Sequence, residues 1–321
     1  MSGKACIIQI GPMDDFVNEY LQTHYDVLQL WREPDALACL DRRGPGVRAV
    51  VTSVRHGCTA AIIQRLPDLK AICSWGVGYE TIDVGAARER GIQVSTTPEV
   101  LNDCVADHAW GLLIAAARRT SVGDRYVKTG QWRTIGAFPL STKVSGKRLG
   151  ILGLGRIGAA IARRGEGFDM QVRYHDLIQY PNVSYEYEPS LPALAAWADF
   201  LVVACQGGPA TRHLVSAQVI YALGPEGILI NIARGSVIDQ AAMVSALVEG
   251  RLGGAGLDVL DKEPAVPPEL MSMDQVVLMP HVGSATRETR RAMGQLVLDN
   301  LDAFFREGSV LTPVTDRRAS T

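Results

Sequence analysis

The run Arg148–Leu152 leads straight into Gly153-Leu-Gly155-Arg156-Ile157-Gly158, and a helix-like segment follows. Six residues of this kind constrain a chain strongly when a strand precedes them and a helix follows. The first glycine permits a tight turn out of the strand, and the second lets backbone come close to a pyrophosphate. The third lets the helix pack on the strand. The helix N-terminus then offers N–H groups without helical partners to the phosphates. Asp176 ends the next strand, 18 residues beyond Gly158, where a carboxylate can accept hydrogen bonds from ribose hydroxyls. The chain is expected to bind a dinucleotide.

The rest of the sequence supplies the matching architecture. Short apolar runs at 5–10, 27–30, 49–52, 69–73 and 93–95 read as strands, with helical periodicity at 14–23 and 59–66. A long amphipathic helix is expected over 103–127, then a loop containing Gly130, Gly136 and Pro139. A second series starts at Arg148, with a helix to about 167 and strands at 171–174, 200–204, 227–231, 255–259 and 276–278. A last helix is expected over 285–305. This alternation predicts parallel sheets flanked by helices, and 321 residues suffice for two such domains.

Composition narrows the function classes. The chain is 47% hydrophobic and 21% charged, which suits a soluble globular enzyme. A net charge of −2 gives no reason to expect nucleic acid or an anionic membrane as partner. The apolar stretch 109–117 is too short to span a bilayer, and Asp14 and Asp15 follow too closely on 5–10 for a signal peptide. Six scattered cysteines, without CxxC, are expected to be free thiols of a cytoplasmic protein. No cluster of His, Cys and carboxylates predicts a metal.

Three candidate chemical groups lie just after predicted strands, at the carboxyl ends where ligands bind in open α/β sheets. Arg234 ends Asn231-Ile232-Ala233-Arg234, Glu263 follows Leu257-Asp258, and His281 follows Pro280. Singly, each is more simply a surface ion-pairing group, a loop acid or a structural histidine. Together they form a coherent set. Arg can hold a carboxylate in a two-pronged fork and polarise a neighbouring carbonyl. His can give or take the proton that accompanies hydride transfer, and a Glu beside it favours the imidazolium.

Over nearly its whole length the chain resembles the D-isomer-specific 2-hydroxyacid dehydrogenases, most closely the glyoxylate/hydroxypyruvate reductase branch. The matching stretches are Ser74-Trp-Gly-Val-Gly78-Tyr, Thr97-Pro-Glu-Val-Leu101, Val144-Ser-Gly-Lys-Arg-Leu-Gly-Ile-Leu-Gly153, 231–235, 253–264, 280–286 and Leu311-Thr-Pro-Val314. The resemblance implies two Rossmann-like doubly wound domains with a cleft between them. Residues 1–101 and 285–321 would form the substrate domain and 102–284 the dinucleotide domain, with hinges near 98–101 and 283–286. It also implies that Arg234 binds substrate, that His281 is the acid/base and that Glu263 is its partner. The amides of Val77 and Gly78 would hold the substrate carboxylate, as glycines let backbone converge on an anion. The cofactor would contact Gly153, Gly155, Arg156, Ile157, Gly158, Asp176, Ile232, Ala233 and Asp258.

The implied reaction is NAD(P)H-dependent reduction of a small 2-oxo acid, glyoxylate or hydroxypyruvate, to the D-2-hydroxy acid. The same scaffold serves larger 2-oxo acids of the phenylpyruvate type, formate and phosphite, and also NAD-sensing corepressors. Helix 103–127 resembles the segment through which such enzymes form homodimers. Only eight residues follow Pro313, so no regulatory tail is expected. Trp75 and Trp132 could line the substrate site or be core aromatics. The run Cys205-Gln206-Gly207-Gly208 departs from relatives, which often carry Pro here, and leaves the contacts of that loop open. NAD(H) is expected in preference to NADP(H). NADP-using relatives of this branch often have Ser-Arg where this chain has Asp176-Leu177, and a 2′-phosphate would meet a like charge. Lost hydrogen bonds and repulsion together amount to roughly 3 kcal/mol, or about a hundredfold. Strand alternation turns Arg173 away from that position.

Overall fold

The computed structural model describes residues 3–315. Residues 316–321, which end both the short segment after Pro313 and the range expected for the first domain, lie outside the described residues. The chain divides into two compact units, Met1–Leu101 with Thr286–Thr321, and Asn102–Ala285.

The first unit is built on five parallel strands, β1 (Cys6–Gln9), β2 (Asp26–Gln29), β3 (Ala49–Ser53), β4 (Ala71–Trp75) and β5 (Gln93–Ser95), in the order β2-β1-β3-β4-β5. One core gathers Ile8, Val50, Ile72 and Val94 from neighbouring strands with Leu40 and Ile63 from helices and Leu66 from the turn after the second of these. Two short helices that periodicity did not single out, Ala36–Arg43 and Val84–Glu89, start at aspartates whose side chains accept from Ala38 and Ala86 amides. The chain returns to this unit as helix Arg287–Glu307, which packs on β4 and on helix Asp15–His24. Tyr20 and Tyr25 both donate to Asp302, at 2.5 and 2.6 Å, and tie these helices together.

The second unit has seven parallel strands: β6 (Arg148–Leu152), β7 (Gln171–His175), β8 (Glu186–Tyr187), β9 (Phe200–Val203), β10 (Ile228–Asn231), β11 (Gly254–Leu257) and β12 (Val276–Leu278). Their order is β12-β11-β10-β9-β6-β7-β8, so the sheet reverses direction of growth at β6 and β9. That reversal is the switch point at which doubly wound sheets bind ligands. Strands β9, β10 and β11 are buried throughout and read as continuous apolar runs, as strands covered on both faces do. Helix Asn102–Arg118 lies against helix Arg156–Glu166, where Trp110 donates to the Ile161 carbonyl (3.1 Å) and stacks on Phe168 at 4.5 Å.

Three expectations are corrected. The single helix over 103–127 is two helices, Asn102–Arg118 and Thr120–Lys128, because Arg119 takes a left-handed conformation (φ 53°) that ends the i→i−4 ladder. Tertiary contacts hold this break: Thr142 donates to the Ala117 carbonyl, and the Arg119 guanidinium lies over Phe138 and 3.7 Å from Asp274. The stretch placed in the following loop also contains a short helix, Gln131–Thr134. Strand β4 runs two residues past the expected 69–73 and carries Trp75 within the sheet.

Candidate active site

The glycine turn is shaped by close approach. Gly153 has φ +94°, and a Cβ there would sit 2.6 Å from the Cys205 backbone; one at Gly158 would sit 2.0 Å from the Gly153 carbonyl oxygen. Any other residue would fill this turn or push the helix off the strand. Gly155 caps helix Arg156–Glu166, so Arg156 and Ile157 form its first turn with no side chain over the cap. Asp176 follows β7, and its carboxylate accepts from the Leu154 amide at 2.8 Å and the Leu177 amide at 2.7 Å. Each oxygen keeps a lone pair for a further donor. This cradle fits a dinucleotide: phosphates against the Gly153–Gly158 turn, ribose against Asp176. Arg173 is engaged elsewhere, 3.0 Å from Glu186 and 4.5 Å above the Trp197 ring.

The proposed chemical groups lie on three adjacent strand ends, and two buried polar side chains shape the turns that carry them. Asn231, the last residue of β10, is 1% exposed. Its amide donates to the Arg234 carbonyl (3.0 Å) while its oxygen accepts from the Ala233 amide (3.0 Å). Ile232 and Ala233 are buried, and Arg234 extends from this turn with its guanidinium donating to the Ala233 carbonyl at 2.7 Å. Asp258 follows β11. Its amide donates to the Asn231 carbonyl and its carbonyl accepts from the His281 amide at 2.9 Å, so it joins the Arg234 and His281 strand ends.

The Asp258 side chain is 3% exposed and accepts from His108 Nε2 (3.0 Å), the Val282 amide (2.8 Å) and the Gly283 amide (2.9 Å). Burial alone would raise its carboxyl. The hydrogen bond from His108 and those from the two amides outweigh burial and hold it below the usual carboxylate range. His281 itself has φ 54°, a left-handed conformation that costs a non-glycine residue. Its Nδ1 lies 2.8 Å from Glu263 Oε2, while Oε1 of the same carboxylate accepts from the Leu260 amide at 3.2 Å. Donation from Nδ1 to the carboxylate leaves Nε2 as the ring nitrogen not engaged by Glu263.

Val77 and Gly78 belong to the first unit. Gly76, at φ +108°, is pinned by Thr97: its amide donates to Thr97 Oγ1 (3.0 Å) and its carbonyl accepts from the Thr97 amide (2.8 Å). Among the described residues, the Val77 and Gly78 amides donate to no protein acceptor. Trp75 is 7% exposed, and its indole N–H has no acceptor among the described residues; Trp132 is 65% exposed and is no core residue. Gly207 faces the stem of Arg234, and a Cβ there would come within 2.4 Å of Arg234 Cγ. All six cysteines are free. Among the described residues no helix is long and apolar enough to cross a membrane, and no group of three or more His, Cys, Asp or Glu is placed to hold a metal.

Asn231 and His108 were not singled out from the sequence. Asn231 leaves one signal, a polar residue closing an otherwise apolar strand. His108 leaves none, because its partner Asp258 is 150 residues away.

Residues 110–283 match the family model described as the NAD-binding domain of D-isomer-specific 2-hydroxyacid dehydrogenases. The chain is 46% identical over 308 residues to a glyoxylate/hydroxypyruvate reductase A of Arabidopsis thaliana, covering 96% of this chain and 98% of the relative. It is also 46% identical, with the same coverage, to a hydroxyphenylpyruvate reductase of Plectranthus scutellarioides. Among solved structures, an NADPH-dependent glyoxylate/hydroxypyruvate reductase of Sinorhizobium meliloti, in complex with NADP and malonate, is 41% identical with a TM-score of 0.91. The match covers 98% of this chain and 97% of that one.

Proposed function

This chain belongs to the D-isomer-specific 2-hydroxyacid dehydrogenases, in the glyoxylate reductase branch, and we propose that Arg234, Glu263 and His281 carry its reduction of small 2-oxo acids such as glyoxylate and hydroxypyruvate. The observation that carries this assignment is the His281–Glu263 pair at 2.8 Å, set in a left-handed turn whose strand end is joined to that of Arg234.

When bound, a reduced nicotinamide cofactor would be held by Gly153, Gly155, Arg156, Ile157, Gly158, Asp176, Ile232, Ala233 and Asp258, and would supply the hydride. His281 gives its Nε2 proton to the 2-oxo oxygen, and Glu263 holds the ring by Nδ1 and offsets the imidazolium charge. The Arg234 guanidinium grips the 2-oxo acid in a two-pronged contact. The Val77 and Gly78 amides bind its carboxylate, which makes the first unit the substrate domain and residues 102–284 the cofactor domain. Orienting substrate in this way is where proximity contributes most.

NAD(H) is the preferred cofactor in this reading, because Asp176 presents a carboxylate where a 2′-phosphate would lie and Arg173 is committed to Glu186. The protein acts as a homodimer: Val127, Trp132, Ile135 and Leu140 are all exposed beyond the end of helix Asn102–Arg118, an apolar set that suits a second copy. Buried free thiols at Cys39, Cys58 and Cys73 fit a reducing cytoplasm.

The test is kcat/KM for glyoxylate, hydroxypyruvate and hydroxyphenylpyruvate with each reduced cofactor. A small 2-oxo acid with NADH is expected to lead, by about a hundredfold over NADPH. The double variant Asp176→Ser, Leu177→Arg is expected to shift that ratio toward NADPH. Equal use of both cofactors by the native enzyme, or no shift in the variant, overturns the NAD assignment. Preference for hydroxyphenylpyruvate overturns the small-substrate reading, in keeping with the equally similar Plectranthus relative.

A further inference from the structure

The turn that carries His281 is held mostly by one side chain of another strand end. A left-handed non-glycine residue persists only where its surroundings over-determine it. Here the His281 amide donates to the Asp258 carbonyl, and the next two amides, of Val282 and Gly283, donate to the two oxygens of the Asp258 carboxylate. Cys104 Sγ adds a bond to the Gly283 carbonyl at 3.3 Å. Space is as tight as the bonding. A Cβ on Gly283 would sit 3.0 Å from Asp258 Oδ2. A carboxylate this buried can face both amides only while its charge is satisfied and its rotamer held. The third donor to it is His108, which shares Oδ1 with the Val282 amide. His108 stands on helix Asn102–Arg118, the first element of the second unit, while the turn 281–283 lies at that unit's end.

We propose that His108 is a positioning residue for His281, acting through Asp258 to hold the turn 281–283 and with it the left-handed conformation of His281. His108 makes no contact with the reacting atoms in this scheme. It fixes the carboxylate that fixes the turn, and so aims the imidazole. The inference rests on His281 being the proton donor.

The experiment compares native enzyme with His108→Leu, His108→Gln, His108→Asn and His281→Ala. It reads single-turnover oxidation of NADH by glyoxylate, the KM for glyoxylate, and amide hydrogen exchange. His108→Leu is expected to slow the single turnover about 10-fold, with KM changed less than about twofold. Exchange at the Val282 and Gly283 amides is expected to rise by a similar factor, while peptides of the glycine turn at 153–158 stay protected. His108→Gln can present an N–H near the position of Nε2 and is expected to recover to within about threefold of native. His108→Asn is one methylene too short and is expected to behave as the Leu variant does. If the Leu variant does not fold, the Gln–Asn contrast decides. Unchanged exchange at 282–283, a Gln variant no better than Asn, or loosening of the whole unit together overturns the proposal. Full turnover in His281→Ala defeats the proton-donor reading itself, and the proposal with it. Loss of turnover there, with turnover and protection intact in His108→Leu, defeats the positioning role alone.

Discussion

The two units share a plan, parallel strands doubly wound by helices, yet their strand ends are built for different work. In the first unit the buried polar groups at the strand ends hold backbone. Thr52 Oγ1 donates to the Gly57 carbonyl, Gln9 to the Gly11 carbonyl, and Thr97 holds Gly76 by two bonds. Next to the Gly76 held by Thr97 are the Val77 and Gly78 amides, which donate to no protein acceptor among the described residues. In the second unit, Asn231 and Asp258 hold the turns from which the Arg234 and His281 side chains project. Architecture is common to both; the polar residue that closes each strand decides whether a turn offers backbone dipoles or titratable groups. The first unit is therefore expected to act on substrate affinity and the second on the chemical step.

The largest expected effect tests the second unit at its centre. His281→Ala removes the proposed proton donor and is expected to cut kcat by roughly 10²–10⁴ while cofactor affinity stays near native. Near-native turnover, read with the cofactor saturating, would erase the division of labour between the two units. A smaller loss is expected in the loop that faces the Arg234 stem. Gly207→Ala places a Cβ 2.4 Å from Arg234 Cγ, and Asn231 keeps the Arg234 backbone from yielding. The guanidinium must leave its position, and kcat/KM is expected to fall about 10-fold with cofactor binding preserved. Unaltered kinetics would mean that the Arg234 side chain tolerates other placements.

The first unit gives the contrasting result. Thr97→Val removes the oxygen that pins the Gly76 amide, loosening the turn without touching a charge. KM for the 2-oxo acid is expected to rise about three- to fivefold with kcat nearly constant. A fall in kcat instead would place the first unit in the chemical step.

The smallest effect is on stability. The Asp258 carboxyl is held below its unfolded value, so it contributes stability that is complete above about pH 4 and is lost as pH falls through the lower, folded value. Asp258→Asn is expected to melt a few degrees below native at pH 7, at about 2–4 °C for each kcal/mol lost. The gap is expected to narrow as the solution is acidified below pH 4. Melting curves recorded across that range check it, and a gap that widens in acid would show that the charge of Asp258 does not stabilise the fold.

Most of the framework was legible in the order of residues, because short-range physics writes it there. Apolar runs of strand length, the glycine spacing after Arg148–Leu152 and the acid at Asp176 each follow from what a local backbone needs. Arg234, Glu263 and His281 could be picked out because each follows a strand, and strand ends are visible one at a time. The break at Arg119 was not visible, since no glycine or proline marks it and its causes, Phe138 and Asp274, arrive from other parts of the chain. Nor could the sequence bring Glu263 within 2.8 Å of His281, seat the Arg234 stem over Gly207, or hand the Asp258 carboxylate to His108, Val282 and Gly283. The sequence by itself determined which elements form and which chemistry is available. Only the tertiary structure decided which groups meet, because hydrogen bonds between residues far apart in the chain depend on where the sheet brings its strand ends together.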